Sequence, residues 1–347
     1  MTPPTPVTHL VVSRGEAVAF TTAMNLPEWL QRRLAGTPIE IDGQTLATDT
    51  QLMLKLGAMA GPAVETLPID KGRGALLRQS LLAGGKPPVG AVSDHRVLRH
   101  RARLYTPTSA MRSAHGPLLV FFHGGGFVYG DIESHDAGCR FLAERSGVRV
   151  LSVEYRLGPE CPFPAAADDA VAVFEQVIDH AGDFGADPAR IGAGGDSAGG
   201  NLAAGVALAL TDRCAFQLLI YPVTQFDEVT RSRSLFGTGF FLTDEFIEVA
   251  GRGYVPAEVD PRDPRLAPLH AEVPDQVAPA YLCTAGFDPL RDEGEAYADK
   301  LRAAGVKVET QRFADQIHGF FNVVGAGRSA KAAASQVADA LRLLSGA

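Results

Sequence analysis

Tryptophan, tyrosine and cysteine are scarce in this sequence: its 347 residues hold one Trp, seven Tyr and four Cys. The cysteines (Cys139, Cys161, Cys214 and Cys283) lie 22, 53 and 69 residues apart. No C-x-x-C pair exists, which removes the zinc-ribbon and thioredoxin-type readings. In a chain of this length the four read as reduced, mostly buried thiols of a cytoplasmic protein. Positive charge is also short. Lys and Arg number 32 against 40 Asp and Glu, a formal charge of −8, which argues against nucleic acid or an anionic membrane surface as partner. Long apolar runs are missing too. The longest stretch free of Asp, Glu, Lys and Arg, Ser113–Gly130, contains two histidines, Pro117 and five glycines, so no stable membrane insertion is expected. Met1–Pro6 has neither a basic nor an apolar region, so no signal peptide is expected, and the cytoplasm is the default.

What the chain does have is glycine, 37 residues of it, within a composition that is 46% hydrophobic and 21% charged. Those values describe a globular protein rather than a disordered one. The length fits about two domains, or one large α/β domain with an addition. Residues 1–90 mix helical patterns (Glu28–Leu34, Thr48–Met59, Gly72–Leu82) with Pro and Gly breaks, and Gly84–Val89 reads as a linker. Beyond it, strand and helix signals alternate. Arg101–Tyr105 reads as a half-buried strand, and Leu118–Phe122 and Val148–Glu154 as strands covered on both faces. Short strands at Ile191–Ala193, Gln217–Tyr221, Ala280–Thr284 and Val306–Phe313 are interleaved with helices at Pro164–His180, Ala198–Leu210, Arg291–Ala303 and Ser329–Leu344. This alternation predicts an α/β fold with a mostly parallel central sheet flanked by helices. Thr230–Tyr254 interrupts it and is expected to leave the sheet layer.

Two glycine clusters follow predicted strands. Gly195–Gly199 (GDSAG) is a G-x-S-x-G motif placed between a strand and a helix. That context distinguishes a nucleophile elbow from a glycine-rich turn with an ordinary serine. Small residues flank Ser197, as so tight a turn requires, and the helix N-terminus favours developing negative charge there. His123-Gly124-Gly125-Gly126 follows Leu118–Phe122. Glycines admit close backbone approach, so the N–H groups of Gly124, Gly125 and Ala198 are the expected oxyanion donors. No phosphate-loop lysine follows, and His123 reads as a structural residue of the loop. A serine nucleophile needs a base and an orienting carboxylate, in the chain order Ser, Asp or Glu, His. Only His270 and His318 follow Ser197. His318 lies past a predicted strand, whereas His270 sits in a Pro-rich irregular segment. Asp288 lies at the exit of the Ala280–Thr284 strand, whereas Asp292 belongs to the following helix. The expected set is therefore Ser197, Asp288 and His318, with no metal and no cofactor.

With these residues in view, the sequence resembles the hormone-sensitive-lipase-like (bacterial family IV) carboxylesterases of the α/β-hydrolase superfamily, GDSAGG subtype. The matching segments are HGGGFVYGD (123–131), YRLGPECPFPAA (155–166), GDSAGGN (195–201), DPLRDEG (288–294) and IHGF (317–320). Gly158 and Cys161 depart from the family's usual residues. The resemblance implies an α/β-hydrolase catalytic domain over residues 91–347 and a helical cap from residues 1–90 with a contribution from about 230–255. It also implies the same triad and oxyanion hole, and hydrolysis of small carboxylic esters of short to medium acyl chain. A homodimer through the last strand and helix belongs to the same family-level expectation. Tyr155, Arg156 and Glu160 are expected to fix the loop beneath the oxyanion glycines, and Asp196 to hold the elbow. Phe127, Phe240, Phe241 and Phe287 are weighed as walls of an acyl pocket against ordinary core. The rival readings are an amidase with the same triad, a non-catalytic receptor on this fold, and a long-chain lipase.

Overall fold

The computed structural model describes residues 12–113 and 115–347; the reading of Met1–Pro6 falls outside them. The apolar run at 118–122 lies at the centre of an eight-stranded sheet. Its strands are β1 (Ala91–Val97), β2 (His100–Thr106), β3 (Gly116–Phe122), β4 (Arg149–Val153), β5 (Ala186–Asp196), β6 (Gln217–Ile220), β7 (Ala280–Phe287) and β8 (Val308–Ile317). Their spatial order is β8-β7-β6-β5-β3-β4-β2-β1. The β1–β2 and β2–β4 pairs are antiparallel, and every other pair is parallel. Every residue of β6 and β7 is buried, as strands covered on both faces require.

The helices are α1 (Arg14–Met24), α2 (Glu28–Ala35), α3 (Thr48–Met59), α4 (Ile69–Gly84), α5 (Asp136–Ser146), α6 (Ala165–Asp179), α7 (Ala198–Ala209), α8 (Arg231–Phe236), α9 (Asp244–Tyr254), α10 (Arg291–Ala303) and α11 (Ser329–Ser345). Side chains of a strand alternate between faces, and β3 shows the result. Leu118, Val120 and Phe122 join a core with α6, α7 and α10, while Leu119 and Phe121 join another with α5 and α11. α1, β1, α5 and the short hairpin Glu40–Ile41/Gln44–Thr45 had no counterpart in the sequence reading, and the segment expected to leave the sheet layer holds α8 and α9. Among the described residues no helix is long and apolar enough to cross a membrane.

Residues outside the alternation cluster at the C-terminal ends of the strands. Leu46, beside the short hairpin Glu40–Ile41/Gln44–Thr45, packs with Phe236 and Phe240 of the α8 region and with Phe287 and Ile317 at the ends of β7 and β8. The Thr243 hydroxyl donates to Glu65 Oε1 at 2.5 Å, and Phe246 of α9 meets Tyr129, with ring centroids 5.2 Å apart. The N-terminal region also ties itself to the far helix. Buried Asp49 accepts from the N–H of Ser329 (2.9 Å) and of Arg328 (2.6 Å), capping free donors at the start of α11.

Candidate active site

The turn between β5 and α7 has room for only one kind of neighbour. A Cβ on Gly195 or on Gly199 would overlap the Phe122 carbonyl oxygen. Between them Ser197 holds φ 55° and ψ −118°, a strained conformation for a residue with a side chain. Hydrogen bonds fix it from three sides. Its N–H donates to Ile220 O at 2.9 Å, and its carbonyl accepts from Asn201 N (3.1 Å) and Val223 N (3.2 Å). The Asn201 amide then donates to Val223 O (2.9 Å) and Leu266 O (2.8 Å).

β7 and β8 run further than the strands expected at 280–284 and 306–313, to Phe287 and Ile317. Asp288 and His318 are therefore the first residues beyond adjacent parallel strands. His318 Nδ1 lies 2.7 Å from Asp288 Oδ2, and His318 Nε2 lies 2.9 Å from Ser197 Oγ. A carboxylate only accepts, so Nδ1 carries the proton and Nε2 is open to the serine hydroxyl. Asp288 is fully buried, and Ser197 and His318 are 7% and 6% exposed. Leu290 N–H holds the other carboxylate oxygen at 2.8 Å, and the Tyr221 ring backs the imidazole, with centroids 4.5 Å apart. The rejected candidates lie elsewhere. Asp292 accepts from Ser232 N–H at 2.7 Å, and His270 pairs with Asp227 at 2.9 Å.

One expected donor is displaced. The Gly124 N–H donates to Asp196 Oδ1 at 2.9 Å, so it is not available to an oxyanion. The run of three glycines hid this, because the acceptor comes from a residue 72 positions away. Gly125, Gly126 and Ala198 donate their N–H groups to nothing among the described residues, and Gly125 (φ 118°) and Gly126 (φ 61°) turn with positive φ.

A family model of the α/β-hydrolase fold matches residues 119–322. The carboxylic ester hydrolase LipN of Mycobacterium tuberculosis is 42% identical over 326 residues, covering 89% of this chain and 85% of LipN. This chain belongs to the α/β-hydrolase family, as a hormone-sensitive-lipase-like carboxylesterase. An ethyl acetate hydrolase of Pseudomonas putida is 34% identical, covering 78% of this chain and 89% of its own. The structure of an ester hydrolase, EH1AB1, from the metagenome of Lake Arreo, complexed with a bipyridine phosphonate derivative, superposes with a TM-score of 0.82 at 40% identity. It covers 87% of this chain and all of that one.

Around the site, the carboxylesterase carries a buried polar layer. The Tyr155 hydroxyl donates to His123 O at 2.7 Å, and its ring stacks on His123 at 4.4 Å. His123 Nδ1 faces Gly124 O at 2.9 Å, and burial pushes the imidazole down to about 4, so it is neutral and structural. Arg156 does not reach the glycine loop as expected: it pairs with Asp169 at 2.6 Å. Glu160 pairs instead with Arg73 of α4 (2.7 Å), whose Nε donates to Val128 O at 2.8 Å, tying α4 to the strand-exit loop. No motif marked His135, whose Nε2 lies 3.3 Å from Asp196 Oδ1. Burial opposes charge on both, yet their mutual attraction lowers the Asp196 carboxyl and raises the His135 imidazole. Nor was Glu293 foreseen. It accepts from Thr224 N–H at 2.7 Å, and burial pushes its carboxyl up to about 8. Of the four weighed phenylalanines, Phe287 is core, as is Phe127, stacked on Tyr254 at 4.1 Å. Phe240 is buried and Phe241 is half exposed.

Proposed function

We propose that Ser197, His318 and Asp288 hydrolyse carboxylic esters of short to medium acyl chain through an acyl-serine intermediate. The observation that carries this reading is the unbroken relay from Asp288 Oδ2 through His318 to Ser197 Oγ, at 2.7 and 2.9 Å. Ser197 Oγ attacks the ester carbonyl as His318 Nε2 takes the hydroxyl proton, and Asp288 orients and stabilises the imidazolium. The tetrahedral oxyanion is held by the N–H groups of Gly125, Gly126 and Ala198, Gly124 being committed to Asp196. Collapse breaks the ester C–O bond, and His318 gives its proton to the departing alcohol oxygen. Water, deprotonated by the same imidazole, then releases the acid and restores Ser197.

In this reading residues 1–90 and about 230–255 are the cap over the catalytic domain at 91–347. The cluster of Leu46, Phe236, Phe240, Phe287 and Ile317 packs between them. The four free thiols fit a cytoplasmic enzyme. The open edge of β8, the last strand of the sheet, is the face for a homodimer, which sedimentation velocity tests. The Ser197→Ala variant should lose about 10⁴-fold or more of its turnover of p-nitrophenyl butyrate while keeping its far-UV spectrum. Wild-type-like turnover in that variant contradicts the assignment.

A further inference from the structure

The segment between α8 and α9 is a small, self-closed loop. At its base the Asp244 N–H donates to Gly237 O at 2.8 Å, and the Asp244 carboxylate accepts from Arg233 Nε at 2.7 Å. At its tip the Leu242 N–H donates to Phe240 O at 3.0 Å, and Phe241 between them has φ 75°. That is a γ-turn with positive φ at its centre, a rare and strained form, and a bulky aromatic is an outlier there. Strain of this kind persists only where the surroundings impose it, and it clusters at functional sites. Here the imposing neighbours are plain. Phe240 and Leu242 are 7% and 6% exposed, and Phe240 is pinned against Phe236 and Phe287, with ring centroids 5.6 and 5.3 Å away. Burying both flanks turns the ring of Phe241 outward, where it is 47% exposed.

That ring lies against the residue after His318. A Cβ built on Gly319 would lie 2.9 Å from Phe241 Cε1 and 3.2 Å from Cδ1. During hydrolysis His318 Nε2 must come within hydrogen-bond reach of the departing oxygen, so the substituent on that oxygen occupies the histidine side of the site. The carbonyl oxygen faces the glycine loop. We infer that Phe241 is the wall of the alcohol subsite, a fixed aromatic face over Gly319 that selects esters of aryl and benzyl alcohols. This rests on the roles proposed for Ser197 and His318. The contact with Gly319 limits the freedom the ring has to lose on binding, and aromatic rings prefer offset or edge-on partners at such distances.

The test uses the whole enzyme and two substrate series. Ethyl, phenyl and benzyl acetate vary the alcohol; p-nitrophenyl acetate, butyrate and hexanoate vary the acyl chain. Phe241→Ala removes the ring, and Phe241→Asn removes it while keeping a residue that tolerates positive φ. Both variants should lose about ten-fold of the phenyl-over-ethyl preference in kcat/KM, mainly through KM. The butyrate-over-acetate ratio should stay within two-fold of the wild type, by the same comparison of kcat/KM. An unchanged alcohol preference in the Asn variant, or a shift in the acyl series instead, overturns the inference and leaves the triad standing. A wild-type enzyme that turns over none of these esters removes the triad reading and this one with it.

Discussion

The Gly124 N–H and the Asp196 carboxylate are joined at 2.9 Å, which ties the glycine loop after β3 to the residue immediately before Ser197. The same carboxylate faces His135 Nε2 at 3.3 Å and accepts from the Tyr221 hydroxyl at 3.4 Å. Asp196 thus sets the distance between the proposed oxyanion donors and the serine. The Asp196→Asn variant keeps an acceptor for Gly124 but loses the charge opposite His135. Its kcat should fall about ten-fold with KM little changed, since only the alignment of donors and nucleophile is disturbed. A kcat equal to the wild type's would show that the loop holds its position without the ion pair.

The pair also has a pH signature. The lowered Asp196 carboxyl contributes stability above its unfolded value, near 4, and loses it as pH falls further. The raised His135 imidazole contributes fully below its unfolded value, near 6.5, and loses that contribution as pH rises through its folded value. Urea unfolding of the wild type and of His135→Gln should therefore differ most between about pH 4 and 6.5 and converge at higher pH. A difference that grows above pH 7 would contradict the pairing.

Glu293 carries the opposite sign. Burial pushes its carboxyl up to about 8, so the folded state binds a proton that the unfolded state releases, and stability falls between about pH 4.5 and 8. Glu293→Gln keeps an acceptor for Thr224 N–H and removes the titration. Its stability relative to the wild type should rise steadily from pH 5 to 8, by on the order of a few kcal/mol. Parallel pH curves for the two proteins would show that Glu293 does not titrate in that range.

Much of this architecture is written in local pattern. The runs at 118–122 and 280–283 are apolar on consecutive residues because both faces of their strands are covered. α3 and α10 start and stop where the spacing of apolar residues says. The misses have physical causes. In β1 only Val97 is buried, so no alternation marks it. α5 buries Ala137, Gly138, Cys139 and Ala143 beside a single Leu, an inward face too small to stand out as an apolar stripe. Ser197, Asp288 and His318 were legible because each stands at a strand end. Gly124 was misassigned because the choice among three successive N–H groups is made by Asp196, distant in sequence. His135 and Glu293 had no local signal, since their meaning comes only from what the fold places opposite them.

Arg291 joins the hairpin at 40–45 to the start of α10. It is buried at 2% exposure, pairs with Asp42 at 3.0 Å and Asp292 at 2.9 Å, and lies 5.3 Å over the Phe236 ring. Its partners are partly exposed, and Asp42 also pairs with Arg231, so losing these charged hydrogen bonds costs about 1–3 kcal/mol. Arg291→Ala should show such a loss in denaturant unfolding, together with a raised KM as the hairpin at Asp42 loosens. Unchanged stability would mean that the hairpin is held by the apolar cluster alone.

Gly199 tests the elbow itself. Its missing Cβ is where the Phe122 carbonyl oxygen sits, and backbone cannot yield as a flexible side chain can. Gly199→Ala should lower stability by roughly 1–3 kcal/mol and turnover by at least ten-fold, because Ser197 shifts relative to His318. Normal stability and normal turnover together would contradict the close packing of the elbow on β3.

The central claim is that Ser197 is the one activated nucleophile. A fluorophosphonate probe reacts with a serine whose proton is taken by a neighbouring base, and peptide mass spectrometry locates the adduct. One equivalent should be found on the peptide containing Ser197, in step with the loss of ester turnover, and none in Ser197→Ala. An adduct on another residue, or an enzyme that stays active with Ser197 fully labelled, would contradict the account.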